Sequence, residues 1–199
     1  MRHVWGVVVA ALLISPLSAQ AQERIDVGLM LGTTRTTDEG AALQFKRERT
    51  WQATLAWSVW SRERIRLAIE VPFLAAPAFE VTTPGGSLPL EYAWLSLTPG
   101  VRATLPVHRA FSVFGTIGAG YARYSESVHK VDGSANPNQK DTNTGAFHVG
   151  GGVEARGVGW LGLRAEIRDV ITGPRNFSVP TPRPTVHNVA FSGGMVVRF

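Results

Sequence analysis

From residue 25 onward, apolar and polar positions alternate with a period of two, the spacing that places successive side chains on opposite faces of a β-strand. Ile25, Val27, Leu29 and Leu31 alternate with Asp26, Gly28, Met30 and Gly32. Trp51, Ala53, Leu55, Trp57 and Val59 alternate with Gln52, Thr54, Ala56 and Ser58. A third segment sets Ile65, Leu67, Ile69, Val71 and Phe73 against Arg64, Arg66, Ala68 and Glu70. The fourth sets Leu95, Leu97, Val101, Ala103 and Leu105 against Ser96, Thr98, Gly100, Arg102 and Thr104. The fifth has Phe111, Val113, Ile117, Ala119 and Tyr121 against Ser112, Thr116, Gly118, Gly120 and Ala122. The sixth opposes Phe147, Val149, Val153 and Ala155 to His148, Gly150, Gly152 and Glu154, and the seventh opposes Leu161, Leu163, Ala165 and Ile167 to Gly162, Arg164, Glu166 and Arg168. The last runs Val189, Phe191, Gly193, Met195, Val197 and Phe199 against Ala190, Ser192, Gly194, Val196 and Arg198.

The connections carry a second regularity. Residues 61–64, 106–109 and 156–159 are short links, whereas 35–49, 74–91, 125–143 and 170–186 are long and rich in turn formers. Strict alternation of short and long links between strands of about ten residues is the pattern of a barrel that crosses a bilayer with tilted strands. The expected fold is all-β, an eight-stranded antiparallel up-and-down transmembrane β-barrel over residues 22–199, with both termini on the short-turn side. Pro99 interrupts the fourth segment and removes a ladder donor, so a bulge is expected there that reverses the parity of Tyr92 and Trp94.

The N-terminus reads differently. Arg2 and His3 precede an apolar run from Val4 to Ile14, then Pro16 and the small-residue stretch Ala19-Gln20-Ala21. Eleven apolar residues are too few to span a bilayer, which takes about 20, and the pattern is that of a secretory signal over residues 1–21. With no cysteine among 199 residues, disulfide scaffolds, zinc-thiolate sites and cysteine nucleophiles are excluded. The formal charge of +5 comes largely from scattered arginines, and the absence of a basic cluster argues against a nucleic-acid partner.

Alternation leaves open whether the apolar face points to a central cavity, as in a secreted lipocalin-like ligand carrier, or outward to lipid. The polar face decides. Lys46, Lys130 and Lys140 are the chain's only lysines and all fall in long links, whereas a watered outer wall would carry lysine along its strands. Small residues punctuated by Arg and Glu suit a narrow interior. Trp51, Trp57, Phe73, Phe111, Tyr121, Phe147, Phe191 and Phe199 fall toward the ends of apolar faces, as two aromatic girdles at membrane interfaces require.

At the level of this whole pattern, residues 23–199 resemble the small eight-stranded outer-membrane barrels of the OmpA/OmpX type. The most specific element is the final strand, in which Phe191, Met195, Val197 and terminal Phe199 share a face, similar to the signal by which such chains are recognised for insertion. The resemblance implies a place in the bacterial outer membrane, contact with outer-membrane lipid and lipopolysaccharide, and handling by the barrel assembly machinery through the C-terminal strand. No residue follows Phe199, so the resemblance does not extend to a peptidoglycan-binding domain.

Arg64, Arg66, Arg102, Arg156, Arg164 and Arg168, with Glu70, Glu154 and Glu166, are the expected lumen-facing charges, leaving three carboxylates against six guanidinium groups. Glu70 is expected to pair with Arg102 or Arg66, and Glu154 or Glu166 with Arg164. Eight strands enclose a space that side chains fill, so a plugged barrel is expected. Ser125, Ser127 and His129 invite comparison with lipid A acyl hydrolases of the outer membrane, but spacing assigns no acidic orienter or oxyanion donor, and an enzyme is not the expectation. His148 and Glu154 lie roughly 20 Å apart along one strand, too far to form a dyad. Gly115–Gly120 and Gly150–Gly152 lie inside strands with no following helix to hold a phosphate. No metal site or cofactor is implied. Contact with an extracellular partner is one reading of residues 74–91, which are apolar for an external loop, of 125–143, and of the proline-rich basic stretch 174–184, and packing of the loop on the barrel rim is the other.

Overall fold

The computed structural model describes residues 24–36, 44–45, 48–62, 64–83, 86–129, 132–139, 141–174 and 185–199. The expected signal segment, the three lysines and most of residues 174–184 lie outside the described residues. Ten strand elements follow in order: β1 (Ile25–Thr36), β2 (Gln44–Phe45), β3 (Glu48–Arg62), β4 (Ile65–Thr83), β5 (Gly86–Leu97), β6 (Gly100–His108), β7 (Phe111–Ser125), β8 (Asp141–Arg156), β9 (Leu161–Thr172) and β10 (Val186–Arg198). All pairings are antiparallel between chain neighbours, and β1 pairs with β10, so the sheet closes on itself. With β5 and β6 as two halves of one wall strand and β2 as a two-residue addition to β4, the wall has eight strands.

The register fixes the shape. Asp26 pairs with Ala56, then Glu70, Gly100, Gly118, His148, Val170 and Asn188 follow around the wall, and the path returns to β1 at Thr36, ten residues above its start. Ten residues at about 3.3 Å, set against eight strands at about 4.8 Å, correspond to a strand tilt of about 40°. Closure leaves no open edge along the wall, which hydrocarbon would not tolerate because each unpaired peptide group there costs several kcal/mol.

Several expectations change. Residues 74–91 are not a loop: β4 runs on to Thr83, β5 starts at Gly86, and Thr83 faces Gly86 across the tip. This hairpin rises past Ala93, where pairing of β5 with β7 ends. Pro99 breaks the ladder without a bulge. Phe73 faces Leu97 and Glu70 faces Gly100, three residues apart on both strands, so no residue is inserted and parity is kept. Tyr92 and Trp94 are therefore inward and buried. A bulge does occur in β3 between Ser58 and Trp60, and it turns Trp60 to the outer face beside Val59. The short links are tight: in the Val158–Leu161 turn the Leu161 amide donates to the Val158 carbonyl, and Gly159 supplies the positive φ of 62° that its second position needs.

Candidate functional site: a two-layered interior inside an apolar wall

Inward positions on adjacent strands converge on a charged layer. Four guanidinium groups (Arg102, Arg164, Arg168, Arg198) and four carboxylates (Asp26, Glu70, Glu154, Glu166) are buried in it. Glu70 is the hub: its Oε1 accepts from Arg168 at 2.7 Å and its Oε2 from Arg102 at 3.1 Å, with Arg164 3.8 Å away. Glu154 Oε1 accepts from Arg164 at 2.6 Å and its Oε2 from Arg198 at 2.7 Å. Glu166 Oε1 accepts from Arg168 at 3.0 Å and from Gln52 at 2.6 Å. Asp26 takes Arg102, with Arg66 at 3.5 Å. Glu70 thus pairs with Arg102 and not with Arg66, and Arg164 pairs with Glu154.

Among the fully buried groups the expected excess of arginine disappears. Arg64 and Arg156 are exposed at the short-turn end, Arg66 stays half-buried beside Asp26 at the edge of the layer, and Asp26 and Arg198 join the layer and bring its buried charges to balance. Phe114 also lies inside: the Arg164 guanidinium is 5.1 Å from its ring centre and Arg102 5.9 Å, within cation–π range. Space for that ring comes from Gly152, where an added Cβ would stand 2.8 Å from Phe114 Cζ.

His148 sits above this layer. Arg168 is only a donor, so His148 Nε2 accepts from it at 3.1 Å, and the ring proton is on Nδ1, 2.8 Å from Thr98 Oγ1. Toward the long-link end the interior turns apolar: Leu74, Ala76, Tyr92, Trp94, Ala122, Tyr124, Ala146, Val170 and Ala190 form one buried cluster. The Tyr124 tip is satisfied, since its Oη contacts Thr172 Oγ1 at 2.7 Å and accepts from Asn188 at 2.8 Å, whereas the Trp94 Nε1 is buried without a hydrogen-bond partner. On β9 the change from Arg164, Glu166 and Arg168 to Val170 marks the boundary between the layers.

The outer wall is the reverse. Leu163 is 59% exposed, Met195 54% and Ile117 52%; Ile117 is at mid-strand, and Met195, which faces Leu163, lies midway between Phe191 and Phe199. Trp51, Phe73, Tyr121, Phe147 and Phe191 are exposed toward the long links, and Trp57, Phe111 and Phe199 toward the short turns, where Trp60 and Trp160 join them. From Phe191 to Phe199 is about 26 Å of strand, or about 20 Å along the barrel normal at the tilt above. A lipocalin-like carrier, with its apolar face inward, does not fit this wall.

Three solved structures give this interior and wall a context. The Neisserial surface protein A aligns with a TM-score of 0.60 at 14% identity, over 88% of this chain and 97% of that one. Yersinia pestis Ail, solved with the heparin analogue sucrose octasulfate, aligns at 0.50 and 10% identity over 88% and 99%. The N-terminal β-barrel domain of Pseudomonas aeruginosa OprF aligns at 0.50 and 7% identity over 90% and 100% of the two chains. The fold is that of the small outer-membrane β-barrels. No protein-family model and no curated protein matches the sequence. An outer-membrane barrel with this apolar wall and two aromatic belts has its place in the bacterial outer membrane.

Within this outer-membrane barrel the serine and histidine candidates play a local part. Ser127 is buried and its Oγ accepts from the His129 backbone amide at 3.2 Å, a two-residue turn of the kind that shapes loops. Asn136 stitches the same connection, donating its amide to the Val128 carbonyl at 2.8 Å and its side chain to the Ser127 carbonyl at 3.3 Å. Among the described residues no group of three His, Asp or Glu side chains is placed to hold a metal ion. In the last strand Phe191, Met195 and Phe199 are exposed and Val197 is half-buried on the same outer face. The Phe199 carbonyl accepts from the Arg24 amide at 2.8 Å, which ties the chain end into the closing seam.

Proposed function

We propose that the protein is an integral barrel with a structural or surface-interaction role in the outer membrane, and that its lumen conducts no solutes. The observation that carries this reading is the filled interior: a charge-balanced layer on one side and an aromatic layer around Trp94 and Tyr124 on the other. A pore needs a continuous wet path, whereas side chains here occupy the cross-section at both levels. The two aromatic belts anchor the barrel at the membrane interfaces. The outward Phe191, Met195, Val197 and Phe199 serve as the face read by the barrel assembly machinery.

Surface interaction belongs to the long-link end. There β4 and β5 project as a hairpin joined by β2, and the 125–143 connection is held in shape by its own hydrogen bonds. Incorporation of the purified barrel into planar bilayers tests the closed lumen: no steady conductance is expected, and reproducible ohmic openings would refute it. Replacing residues 79–91 with a short Gly-Ser turn tests the surface role in intact cells. Loss of surface binding is expected, and unchanged binding would remove the hairpin from it.

A further inference from the structure

Below the charged layer the lumen ends at the short-turn mouth, and its lowest inward level is built of arginine. Following the inward parity down each strand, Arg24 lies two residues below Asp26, Arg66 four below Glu70 and Arg156 two below Glu154, and Arg198 faces Asp26 across the closing seam. At the barrel's tilt each step to the next strand rises about 3 Å and each residue about 2.5 Å, so the four arginines stand within about 2 Å of one height, roughly 3–5 Å below Asp26. Arg24 and Arg156 are exposed, Arg66 is half-buried and Arg198 is buried. The wide gap in this ring is at β6 and β7, where Pro106 and Ser112 face one another.

Charge and hydrogen bonding both set this level apart from the balanced layer above it. The four buried carboxylates are matched by Arg102, Arg164, Arg168 and Arg198, so Arg24, Arg66 and Arg156 carry positive charge beyond that balance. Arg66 only shares Asp26, at 3.5 Å, and among the described residues no carboxylate reaches Arg24 or Arg156. Donors are also in surplus. Ser58 Oγ on β3, whose backbone amide donates to the Arg24 carbonyl, and Thr104 Oγ1 on β6, which faces Arg66, are buried without a partner. Arg198 Nε is a third, and the orphan acceptor here, Asp26 Oδ1, stands 4.0 Å from it. A buried donor without an acceptor is unfavourable, and an acceptor-rich anion relieves donors and charge together.

Eight strands at this tilt set the Cα wall about 8 Å from the axis, so the mouth admits a small ligand and not a folded partner. The donors come from several strands around the axis. That spread suits a tetrahedral group, with oxygens in every direction, better than a planar carboxylate, and guanidinium forks meet phosphate oxygens two at a time. We propose that the short-turn mouth is a binding site for a small, soluble, phosphate-bearing anion of the periplasm, held between Arg24 and Arg156 with Arg66 and the Ser58 and Thr104 hydroxyls beneath it. Inward parity turns the ring away from lipid, so the ligand comes from solution. The site goes beyond the structural role above and rests on that reading only for the compartment that the short turns face.

The test is isothermal titration calorimetry of inorganic pyrophosphate into the purified, folded protein in nonionic detergent at low ionic strength, with succinate as the carboxylate comparison. Gel mobility before and after boiling reports the folded barrel in every sample. Wild type is expected to bind pyrophosphate saturably and more tightly than succinate, and the double variant Arg24→Gln/Arg156→Gln to bind it about tenfold more weakly, the loss of one or two charge-assisted contacts. Arg62→Gln removes an exposed arginine at the same end of the barrel, one that stands over the outward Trp60 ring, and is expected to behave as wild type. No saturable binding by folded wild type, undiminished binding by the folded double variant, or an equal loss in Arg62→Gln overturns the site and leaves the barrel standing. Succinate binding as tight as that of pyrophosphate overturns its assignment to phosphate. A wild-type protein whose mobility never changes on boiling speaks against the barrel itself, and the site falls with it.

Discussion

Replacing Glu70 with alanine removes the carboxylate at the centre of the charged layer. Its two oxygens accept from Arg168 at 2.7 Å and Arg102 at 3.1 Å, and Arg164 stands 3.8 Å away, all buried. Without it four guanidinium groups face three carboxylates in a space that water does not reach freely. Two charge-assisted hydrogen bonds at about 1.5–3 kcal/mol each give about 3–6 kcal/mol. Breaking a buried ion pair by removing one partner costs about 3–5 kcal/mol, so the two routes agree. Urea unfolding of the barrel in lipid vesicles, followed by tryptophan fluorescence, should show the midpoint falling by roughly 1–2.5 M for a slope of about 2–3 kcal/mol/M. The double variant Glu70→Ala/Arg102→Ala should lose markedly less than the sum of its single variants, because it restores the balance of charge. A single variant that unfolds with wild type, or a double variant that is strictly additive, would refute the direct pairing.

Three further outcomes follow from the same geometry. Gly152→Val should drive a side chain against the Ala165 carbonyl oxygen, 2.2 Å from the added Cβ, and into Phe114, at a cost of at least about 1–3 kcal/mol, read as a reduced folded fraction on a gel of unboiled protein. Trp94→Ala, which empties part of the aromatic layer, should destabilise the barrel by about 3–5 kcal/mol yet leave bilayer conductance absent, because the charged layer still closes the lumen. The Asp141 carboxyl, at the exposed end of β8, is held below the usual carboxylate range by hydrogen bonds from Arg123 and Ser125. Whatever the pair contributes is present at neutral pH and is lost only as pH falls through that lowered value. A carbon-13 titration should place the Asp141 midpoint below that of an unpaired aspartate and move it upward in Arg123→Gln.

Alternation of side chains was enough to read the wall and the lumen, because a period of two assigns a face to every residue of a regular strand. It assigns no neighbour across strands that are distant in sequence. Asp26 and Arg198 sit in the first and last strands and become register partners only at the closing seam, so the two residues that balance the charged layer were the ones missed. Trp60 was hidden by the β3 bulge, which shifts parity by one residue. Phe114 reads as a wall residue by type, and only the space over Gly152 and the flanking guanidinium groups make an inward aromatic ring favourable. In residues 74–91 the prolines looked like loop chemistry, yet Leu74 and Ala76 continue the inward face of β4 and are buried. The expected bulge at Pro99 failed for a similar reason: a proline removes one donor without requiring an extra residue.

The central claim is the direction in which the two faces of the strands look, and the absence of native cysteine makes it directly measurable. Single cysteines placed one at a time from Ala190 to Val197 can carry a spin label in the bilayer-embedded protein, with collision rates measured for oxygen and for a water-soluble nickel chelate. Labels at Phe191, Gly193, Met195 and Val197 should meet oxygen and not nickel, while those at Ala190, Ser192, Gly194 and Val196 should meet little of either. Oxygen maxima at the even-numbered positions, or no alternation at all, would contradict the account.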